Sequence, residues 1–203
     1  MPHRPLRSRR LPARLCHVLS RRLVSTALDL VYALLLVAAF PFLLYQAIFK
    51  GKQRSGWGAK LWGAAPRRTT PCDCIWLHAV SVGEVNLLKP ILTRLETAHP
   101  EVEIVISTTT TTGYDLAQRM YAPRKVFYCP FDFSWAVRRT LRRVRPKMLV
   151  LAELEIWPNL VREAKAHGVQ VAVVNGRLSE RSFRGYRRIA ALLRPIFSQL
   201  DLV

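Results

Sequence analysis

The stretch "CIWLHAVSVGEVNLLKPILTRLETAHPEVEIVISTTTTTG" (Cys74–Gly113) decides the fold of this chain. It contains two apolar runs, Cys74–Val80 and Val102–Thr108, and between them apolar residues recur at helical spacing. That helical face is formed by Val85, Leu88, Ile91, Leu92 and Leu95. A strand, a helix and a second strand in this order predict two parallel strands joined by a crossover helix.

The same alternation continues to the end of the chain. Further strand-like runs are Lys125–Pro130, Met148–Leu154, Val169–Asn175 and a last one that begins at Leu200. Helical patterns lie between them, at residues 114–122, Ser134–Val144, Trp157–His167 and Ser179–Gln199, the last broken at Pro195. The strand-like runs are apolar throughout, which is typical of strands covered on both faces. The predicted fold class is therefore α/β, a doubly wound parallel sheet.

An apolar helix is expected to precede this domain. Leu30–Phe49 has 20 residues and no charge, which is long enough to cross a hydrocarbon core of about 30 Å. Arginines crowd the residues before it, and lysines and arginines crowd those after it, so the positive-inside rule does not fix its orientation. We predict a membrane anchor, either a span or an interfacial helix with both flanks on anionic head groups.

These patterns divide the chain into four parts. They are a basic amino-terminal extension (1–22), the membrane-anchor helix (23–49), a basic linker (50–71) and a Rossmann-like domain (72–203). Trp57 and Trp62 lie in the predicted linker, where we expect them either to anchor at a membrane interface or to pack.

The charge and the motifs restrict the classes of function. A net charge of +19 indicates an anionic partner: nucleic acid, a membrane surface or a phosphorylated substrate. Nucleic acid has no further support, because the chain shows no basic strands interleaved with aromatic residues and does carry an apolar 20-residue segment. Neither GxGxxG nor a P-loop occurs. The four cysteines contain no CxxC pair, so buried thiols are expected rather than a zinc site.

The first strand-end loop, "SVGE", contains a single acid, Glu84. Ligands of doubly wound sheets bind beyond the carboxyl ends of the strands, so this loop belongs to the predicted binding crevice. As an acid in a first helical turn, Glu84 would contribute less than about 1 kcal/mol. As a carboxylate on a glycine turn it is also a candidate general base, with Gly83 admitting a substrate and Ser81 within hydrogen-bonding reach.

The loop after the fourth strand carries two acids, Glu153 and Glu155. Two-residue spacing puts both on one face if the strand persists. Because buried acids need partners, one interpretation is ion pairing with arginines such as Arg177. The other is a second carboxylate site opposite Glu84, which orients a substrate or stabilises positive charge. A metal site is a weaker interpretation, because no histidine is close in sequence.

The remaining loops leave similar alternatives open. "STTTTTG" (Ser107–Gly113) offers hydroxyls and backbone N–H groups to a phosphate or a sugar, or caps the next helix. "NGRLSERSFRGYRR" (Asn175–Arg188) predicts a solvated helix face or a phosphate-binding patch. Asp132 is expected to cap the helix that follows it, and His78 to pack in the core.

Several of these loops together resemble one family. "HAVSVGE", "ISTTTTTG", "PFDFSWAVRRTLRRVRPKMLVLAELEIWPNL" and "NGRLSERSFRGY" resemble the amino-terminal half of the 3-deoxy-D-manno-octulosonic acid (Kdo) transferases. The resemblance implies a GT-B glycosyltransferase of lipopolysaccharide assembly, with two doubly wound domains facing a cleft. The first would bind the lipid A precursor, a phosphorylated and acylated glucosamine disaccharide, and the second the donor CMP-Kdo. Transfer would invert the anomeric centre without a metal or another cofactor.

The resemblance also implies roles for particular residues. Glu84 matches the base that deprotonates the acceptor hydroxyl, and Glu153 matches a glutamate that helps to stabilise the transition state. The expected substrate-binding residues are Ser81, Gly83, Thr109, Thr110, Glu155, Arg177 and Ser179. The expected partners are the lipid A precursor, CMP-Kdo and an anionic membrane, without nucleic acid. The implied location is the bacterial inner membrane, with the domain on its cytoplasmic face.

Two departures from the family pattern affect these expectations. "AELE" replaces the commoner "ETE", although both acids remain. The chain stops at Val203, inside a predicted strand, so the donor-binding domain that the family implies is not in the sequence. We therefore expect the 203-residue chain to be inactive in transfer by itself. The alternative function is a membrane-anchored module that binds an anionic glycolipid without catalysis.

Overall fold

The computed structural model describes residues 13–49, 56–154, 156–177, 180–188 and 190–203. The helices are α1 (Ala13–Phe49), α2 (Trp57–Trp62), α3 (Val82–Ala98), α4 (Thr111–Tyr121), α5 (Ser134–Val144), α6 (Pro158–Ala166), α7 (Glu180–Arg188) and α8 (Ala190–Phe197). The strands are β1 (Cys74–Ala79), β2 (Glu103–Thr108), β3 (Val126–Tyr128), β4 (Met148–Leu151) and β5 (Gln170–Val173). A parallel α/β sheet preceded by one long apolar helix confirms the predicted fold class.

All five strands are parallel and lie in the order β3-β2-β1-β4-β5. The central strand is β1, in which His78 lies opposite Ser107 of β2 on one side and Leu151 of β4 on the other. Leu202 adds an isolated parallel bridge to Ala172 of β5, at the place of the predicted last strand. The strand order reverses between β1 and β4, so the carboxyl ends of these two strands flank the topological switch point.

Two apolar clusters cover the two faces of the sheet, which explains why the strands are apolar at consecutive positions. Trp76 and Leu149 point to one face, where they pack against α5 and α6. Their neighbours Leu77 and Val150 point to the other face, which α3 and α4 cover. His78 is also fully buried, as predicted, and burial lowers its pKa to about 4.

Several predicted boundaries differ from the structure, among them the end of β4 and the last helix. β4 ends at Leu151 rather than Leu154; the ladder closes with the bonds from the backbone N–H of Ala152 to the carbonyl of His78 and from the N–H of Val174 to the carbonyl of Leu151 (2.9 Å each). Pro195 lies inside α8 and does not break it. The helical bond from the N–H of Ser198 to the carbonyl of Arg194 still forms at 3.0 Å, so the one donor that proline lacks does not end the helix.

The predicted basic linker packs on the domain from Gly56 onward. The ring of Trp57 meets that of Phe131 with centroids 5.4 Å apart. Lys60 is buried, with its ammonium 4.9 Å from the centroid of the Tyr128 ring. Trp57 therefore packs, whereas Trp62 is exposed.

Arg68 anchors the rest of this segment at the amino-terminal edge of the sheet. It is buried and donates to the carbonyl of Val144 (3.0 Å) and to the carboxylate of Glu103 (2.7 Å). Burial raises the pKa of Glu103, but hydrogen bonds from Thr70, Lys125 and Arg68 outweigh it and bring the pKa to about 2. The segment therefore follows a fixed path across the domain.

One face of α1 docks on the domain through polar side chains. Ser25, Asp29 and Tyr32 lie one turn apart and share this face. Asp29 accepts hydrogen bonds from the backbone N–H of Ser134 (2.8 Å), the hydroxyl of Ser134 (2.6 Å) and the side-chain amide of Asn159 (3.1 Å). The Tyr32 hydroxyl donates to Asp132 (2.9 Å), and the Ser25 hydroxyl donates to Glu163 (3.4 Å).

The prediction that Asp132 caps α5 is wrong, because Asp132 caps α6. Its carboxylate accepts from the backbone N–H groups of Asn159 (2.9 Å) and Leu160 (2.7 Å). Phe133 intervenes as the extended residue before α5, and the start of α5 is capped by Asp29 instead. Burial raises the pKa of Asp132 to about 7, against the lowering effect of its three hydrogen bonds.

We predict that Asp29→Ala lowers the free energy of unfolding by about 1–3 kcal/mol. The variant removes the cap of α5 and leaves the donors of Ser134 and Asn159 without their acceptor. Denaturant unfolding in detergent micelles measures this change. The control is Asp115→Ala on the exposed side of α4, which should shift stability by no more than about 0.5 kcal/mol. Equal effects of the two variants would contradict the docking role.

Candidate functional site

The candidate site lies at the switch point between β1 and β4, where doubly wound sheets bind ligands. The loop after β1 contains Ser81, the first turn of α3 contains Glu84, and the loop after β4 contains Glu153. The loop after β2 joins them, because the backbone N–H and the hydroxyl of Thr110 both donate to the carbonyl of Val80 (3.3 Å each). The structure thus brings the first two predicted loops into direct contact.

Glu84 occupies the third position of α3 and folds back over the start of the helix. Its carboxylate accepts from the backbone N–H of Val80 (2.7 Å) and from the hydroxyl of Ser81 (2.9 Å). Ser81 is the N-cap, and its hydroxyl accepts from the backbone N–H of Glu84 (3.5 Å). This reciprocal pair is a variant of the capping box, in which the carboxylate accepts from the N–H of Val80 instead of that of the N-cap Ser81, so Glu84 does perform the helix-starting role.

Glu84 can accept further hydrogen bonds or a proton while it caps the helix. Each carboxylate oxygen has two lone pairs, and each uses one of them for the bonds to Val80 and Ser81. The residue is 5% exposed, so its position is held by packing as well as by hydrogen bonds. Glu84 lies in the first turn of α3, beside the partial positive charge of the helix start.

Gly83 and Gly113 differ in what surrounds them. A Cβ on Gly83 would come no closer than 3.8 Å to the Ser81 hydroxyl, so nothing in the described part of the chain crowds this position. A Cβ on Gly113 would lie 2.8 Å from the Thr110 hydroxyl and 2.9 Å from that of Thr108. Gly113 therefore permits the close packing of the start of α4 against the end of β2, whereas Gly83 leaves space beside Glu84.

Thr110 is the N-cap of α4, as one of the two interpretations of the threonine run predicted. Its hydroxyl accepts from the backbone N–H of Gly113 (3.1 Å). Thr109 is half-buried beside it, and the exposed hydroxyls of the run are those of Thr110, Thr111 and Thr112. The capping role of Thr110 leaves a row of hydroxyls along the edge of the crevice.

The acids and arginines of the last two loops are less tightly held. Glu153 is exposed and lies beyond the end of β4, so it is not part of a strand face. Arg177 is exposed and donates to the side chain of Asn175 (3.2 Å), and within the described residues no ion pair joins Arg177 to Glu153. Glu155 and Ser179 lie outside the described residues, and their predicted roles stay predictions.

An apolar groove of about 270 Å³ lies at the same carboxyl edge of the sheet, between α1 and the loops that follow β3 and β4. Its walls are formed by Tyr32, Leu35, Leu36, Ala39, Trp57, Phe131, Asp132, Phe133 and Trp157. The structure therefore places a lipid-like surface and the polar switch-point loops on one edge. Among the described residues, no three His, Cys, Asp or Glu side chains cluster as metal ligands would.

Asp29, which positions α1 on the domain, was not among the predicted functional residues. A signal for it was available: a lone acid next to an uncharged 20-residue run in a strongly basic chain must find donors if it is buried. Those donors belong to residues more than 100 positions away, and no local pattern identifies them.

A doubly wound parallel sheet with polar loops at its switch point defines the molecule as a Rossmann-like, ligand-binding α/β protein. The sequence model described as 3-deoxy-D-manno-octulosonic-acid transferase (Kdotransferase) matches residues 50–203. The chain therefore belongs to the Kdo transferase family, a family of glycosyltransferases, as its motifs predicted.

Several curated relatives agree with this assignment. The chain is 31% identical over 185 residues to a 3-deoxy-D-manno-octulosonic acid transferase of Chlamydia muridarum, covering 90% of this chain and 43% of the relative. It is 32% identical over 134 residues to the transferase of Haemophilus influenzae, covering 66% of this chain and 31% of the relative. A bifunctional glycosyltransferase/methyltransferase of Fusobacterium nucleatum is 36% identical over 131 residues, covering 63% and 20%. The chain thus spans less than half the length of these relatives.

We predict that Gly113→Ala lowers the free energy of unfolding by about 1–3 kcal/mol, because the added methyl group overlaps the hydroxyls of Thr108 and Thr110. The matched control is Gly185→Ala in α7, where no described atom lies within 4 Å of the added Cβ. That variant should be neutral or stabilising by up to about 1 kcal/mol. Denaturant unfolding compares the two, and similar values would refute the close packing of the start of α4 against the end of β2.

Proposed function

We propose that this chain is the acceptor-binding half of an inverting Kdo transferase of lipopolysaccharide synthesis. The acceptor is a lipid A precursor and the donor is CMP-Kdo. The observation that carries the proposal is the placement of Glu84, a buried carboxylate held by Val80 and Ser81 at the switch point of the sheet. Its sequence context, "SVGE", lies within the part of the chain that matches the family.

In the proposed reaction, Glu84 takes the proton of the acceptor hydroxyl. The resulting oxygen nucleophile attacks the anomeric carbon of Kdo, the bond from that carbon to the CMP phosphate breaks, and CMP leaves with the bonding electrons. The hydrogen bonds from Val80 and Ser81 keep the carboxylate from rotating, so little orientational freedom remains to be lost when the transition state forms. A positioned base contributes about 10²–10⁴-fold to such a step.

The other site residues are proposed to hold the substrates. Glu153, exposed at the end of β4, would stabilise positive charge that develops in the transition state. Ser81, Gly83, Thr109 and Thr110 would line the acceptor side of the crevice, and Glu155, Arg177 and Ser179 its other side. No cofactor is proposed, because the leaving group is already activated in CMP-Kdo.

Two further properties of the chain suit this acceptor. A net charge of +19 suits a phosphorylated lipid on an anionic membrane, which we propose is the cytoplasmic face of the bacterial inner membrane. The apolar groove beside α1 offers an acylated substrate a surface next to the polar crevice. The alternative is a membrane-anchored glycolipid-binding module without catalysis, and the capping role of Glu84 is the observation that favours it.

The first test separates binding from transfer in the 203-residue chain itself. We expect the purified chain to retain a lipid A precursor in mixed micelles and to transfer no Kdo from CMP-Kdo. The match covers 43% of the Chlamydia muridarum relative, and we propose that the donor binds in the part outside the match, so the chain alone should not bind it. Transfer by the chain alone, or failure to retain the lipid, would contradict the proposal.

The second test concerns Glu84 in the chain joined to the carboxyl-terminal half of the Haemophilus influenzae transferase. Glu84→Gln should lower the transfer rate by about 10²–10⁴-fold and leave acceptor binding unchanged within a few fold. Glutamine also completes a capping box, so this variant retains the helix-starting role. Glu101→Gln, an exposed acid remote from the loop, is the control. Near-normal transfer by Glu84→Gln would assign Glu84 to the helix start alone.

A further inference from the structure

We propose that α1 does not cross the membrane but lies in one leaflet, with both of its ends on the side where the domain is. By length and composition alone, Arg22–Phe42 could form a span. The packing of α1 on the domain and the return of the chain to the domain after α1 indicate instead a helix that does not cross the membrane. The partner of the exposed face of this helix is one anionic leaflet.

The first observation is that α1 has two opposite faces. Its polar face carries Ser25, Asp29 and Tyr32, which bond to α6, α5 and the loop after β3. Half a turn away lie four side chains that are each more than 60% exposed: Leu23, Leu30, Leu34 and Val37. Up to Tyr32, α1 is therefore polar where it meets the domain and apolar where it is exposed, as in an interfacial helix. From Leu35 onward, a residue on the Tyr32 side that is 61% exposed, the helix is apolar on both faces.

The second observation is that the domain holds the chain on both sides of the apolar segment. Tyr32 bonds to Asp132 near the start of the segment, and Trp57 packs on Phe131 after its end. Both contacts are made to neighbouring residues of one loop. The two ends of the segment are therefore tied to the same place, and a folded domain cannot lie on both sides of a membrane.

Chain length supports the same conclusion. From Tyr32 to Phe49 the helix extends about 26 Å, which is less than a hydrocarbon core of about 30 Å. The six residues 50–55 then reach at most about 25 Å back to Gly56, which packs on the ring of Tyr128. They include Lys50, Lys52 and Arg54, charges that are costly inside a bilayer.

The charges on both flanks select the leaflet as the partner. Arg21 and Arg22 precede the apolar segment, and Lys50 and Lys52 follow it. A span would place one of these basic groups on the far side of the membrane, which is why the sequence alone did not fix an orientation. An interfacial helix places both groups on the same anionic head groups. A second copy of the chain has the same positive charge there and would be repelled.

The topology test uses three tagged versions of the unsubstituted chain. An epitope tag stands before Met1, between Gln53 and Arg54, or after Val203, and protease is added to spheroplasts or to inverted inner-membrane vesicles. We expect all three tags to be cut in inverted vesicles and all three to be protected in spheroplasts. Cleavage of the first tag and of the last tag from opposite sides of the membrane overturns the proposal.

A second experiment tests the exposed face of α1. The purified chain is floated with vesicles of phosphatidylethanolamine and phosphatidylglycerol, and its size without lipid is measured by light scattering. Leu34→Glu should lower the vesicle-bound fraction at least about tenfold, because it puts a charge in the apolar face. Met120→Glu, an exposed site on α4, makes the same change in charge and should have little effect. An equal loss of vesicle binding in both variants overturns the proposal. A second outcome also overturns it: the chain forms a dimer without lipid, the dimer does not float with vesicles, and Leu34→Glu dissociates it.

Discussion

A carboxylate on an apolar helix needs hydrogen-bond donors, and in this molecule the donors to Asp29 lie at the starts of two other helices. The backbone N–H and hydroxyl of Ser134 open α5, and the amide of Asn159 lies at the start of α6. Asp132 makes the reciprocal connection, since it caps α6 and accepts from Tyr32 of α1. Because the donors at a helix start have fixed directions, these two acids set the position of α1 on the domain.

In the proposed membrane topology, the position of α1 determines which edge of the sheet faces the lipid. α5 and α6 begin at the carboxyl ends of the strands, the same edge that carries Glu84 and the switch-point loops. α1 and the loops after β3 and β4 also form the walls of the apolar groove. The groove and the switch-point loops therefore lie at one edge of the sheet, which suits the acylated acceptor that we propose.

Glu84 shows how an observed structural role and a proposed chemical role can share one side chain. The capping box with Ser81 and the bond from Val80 hold the carboxylate still, and two lone pairs remain for a substrate. The fold class and this crevice followed from the sequence because buried parallel strands are apolar throughout and their polar loops gather at one edge. The partners of Asp29 and Asp132 did not follow, because they depend on contacts between helix starts that are distant in sequence. The path of residues 56–71 was missed for a related reason: Arg68 is basic, as a residue of an exposed linker would be, but it is buried, and backbone carbonyls and Glu103 accept its hydrogen bonds.

The distance along the chain between α1 and its docking partners imposes an order of assembly. Asp29 precedes Ser134 by 105 residues and Asn159 by 130. At about 5–20 residues per second of synthesis, α1 exists for several seconds before either helix start has been made. During that interval its apolar face can already bind a leaflet, while Asp29 can be solvated only at the water-facing surface. If α1 binds the leaflet as proposed, the domain then folds against a helix that is already at the membrane, and α5 and α6 pack on it after it is in place.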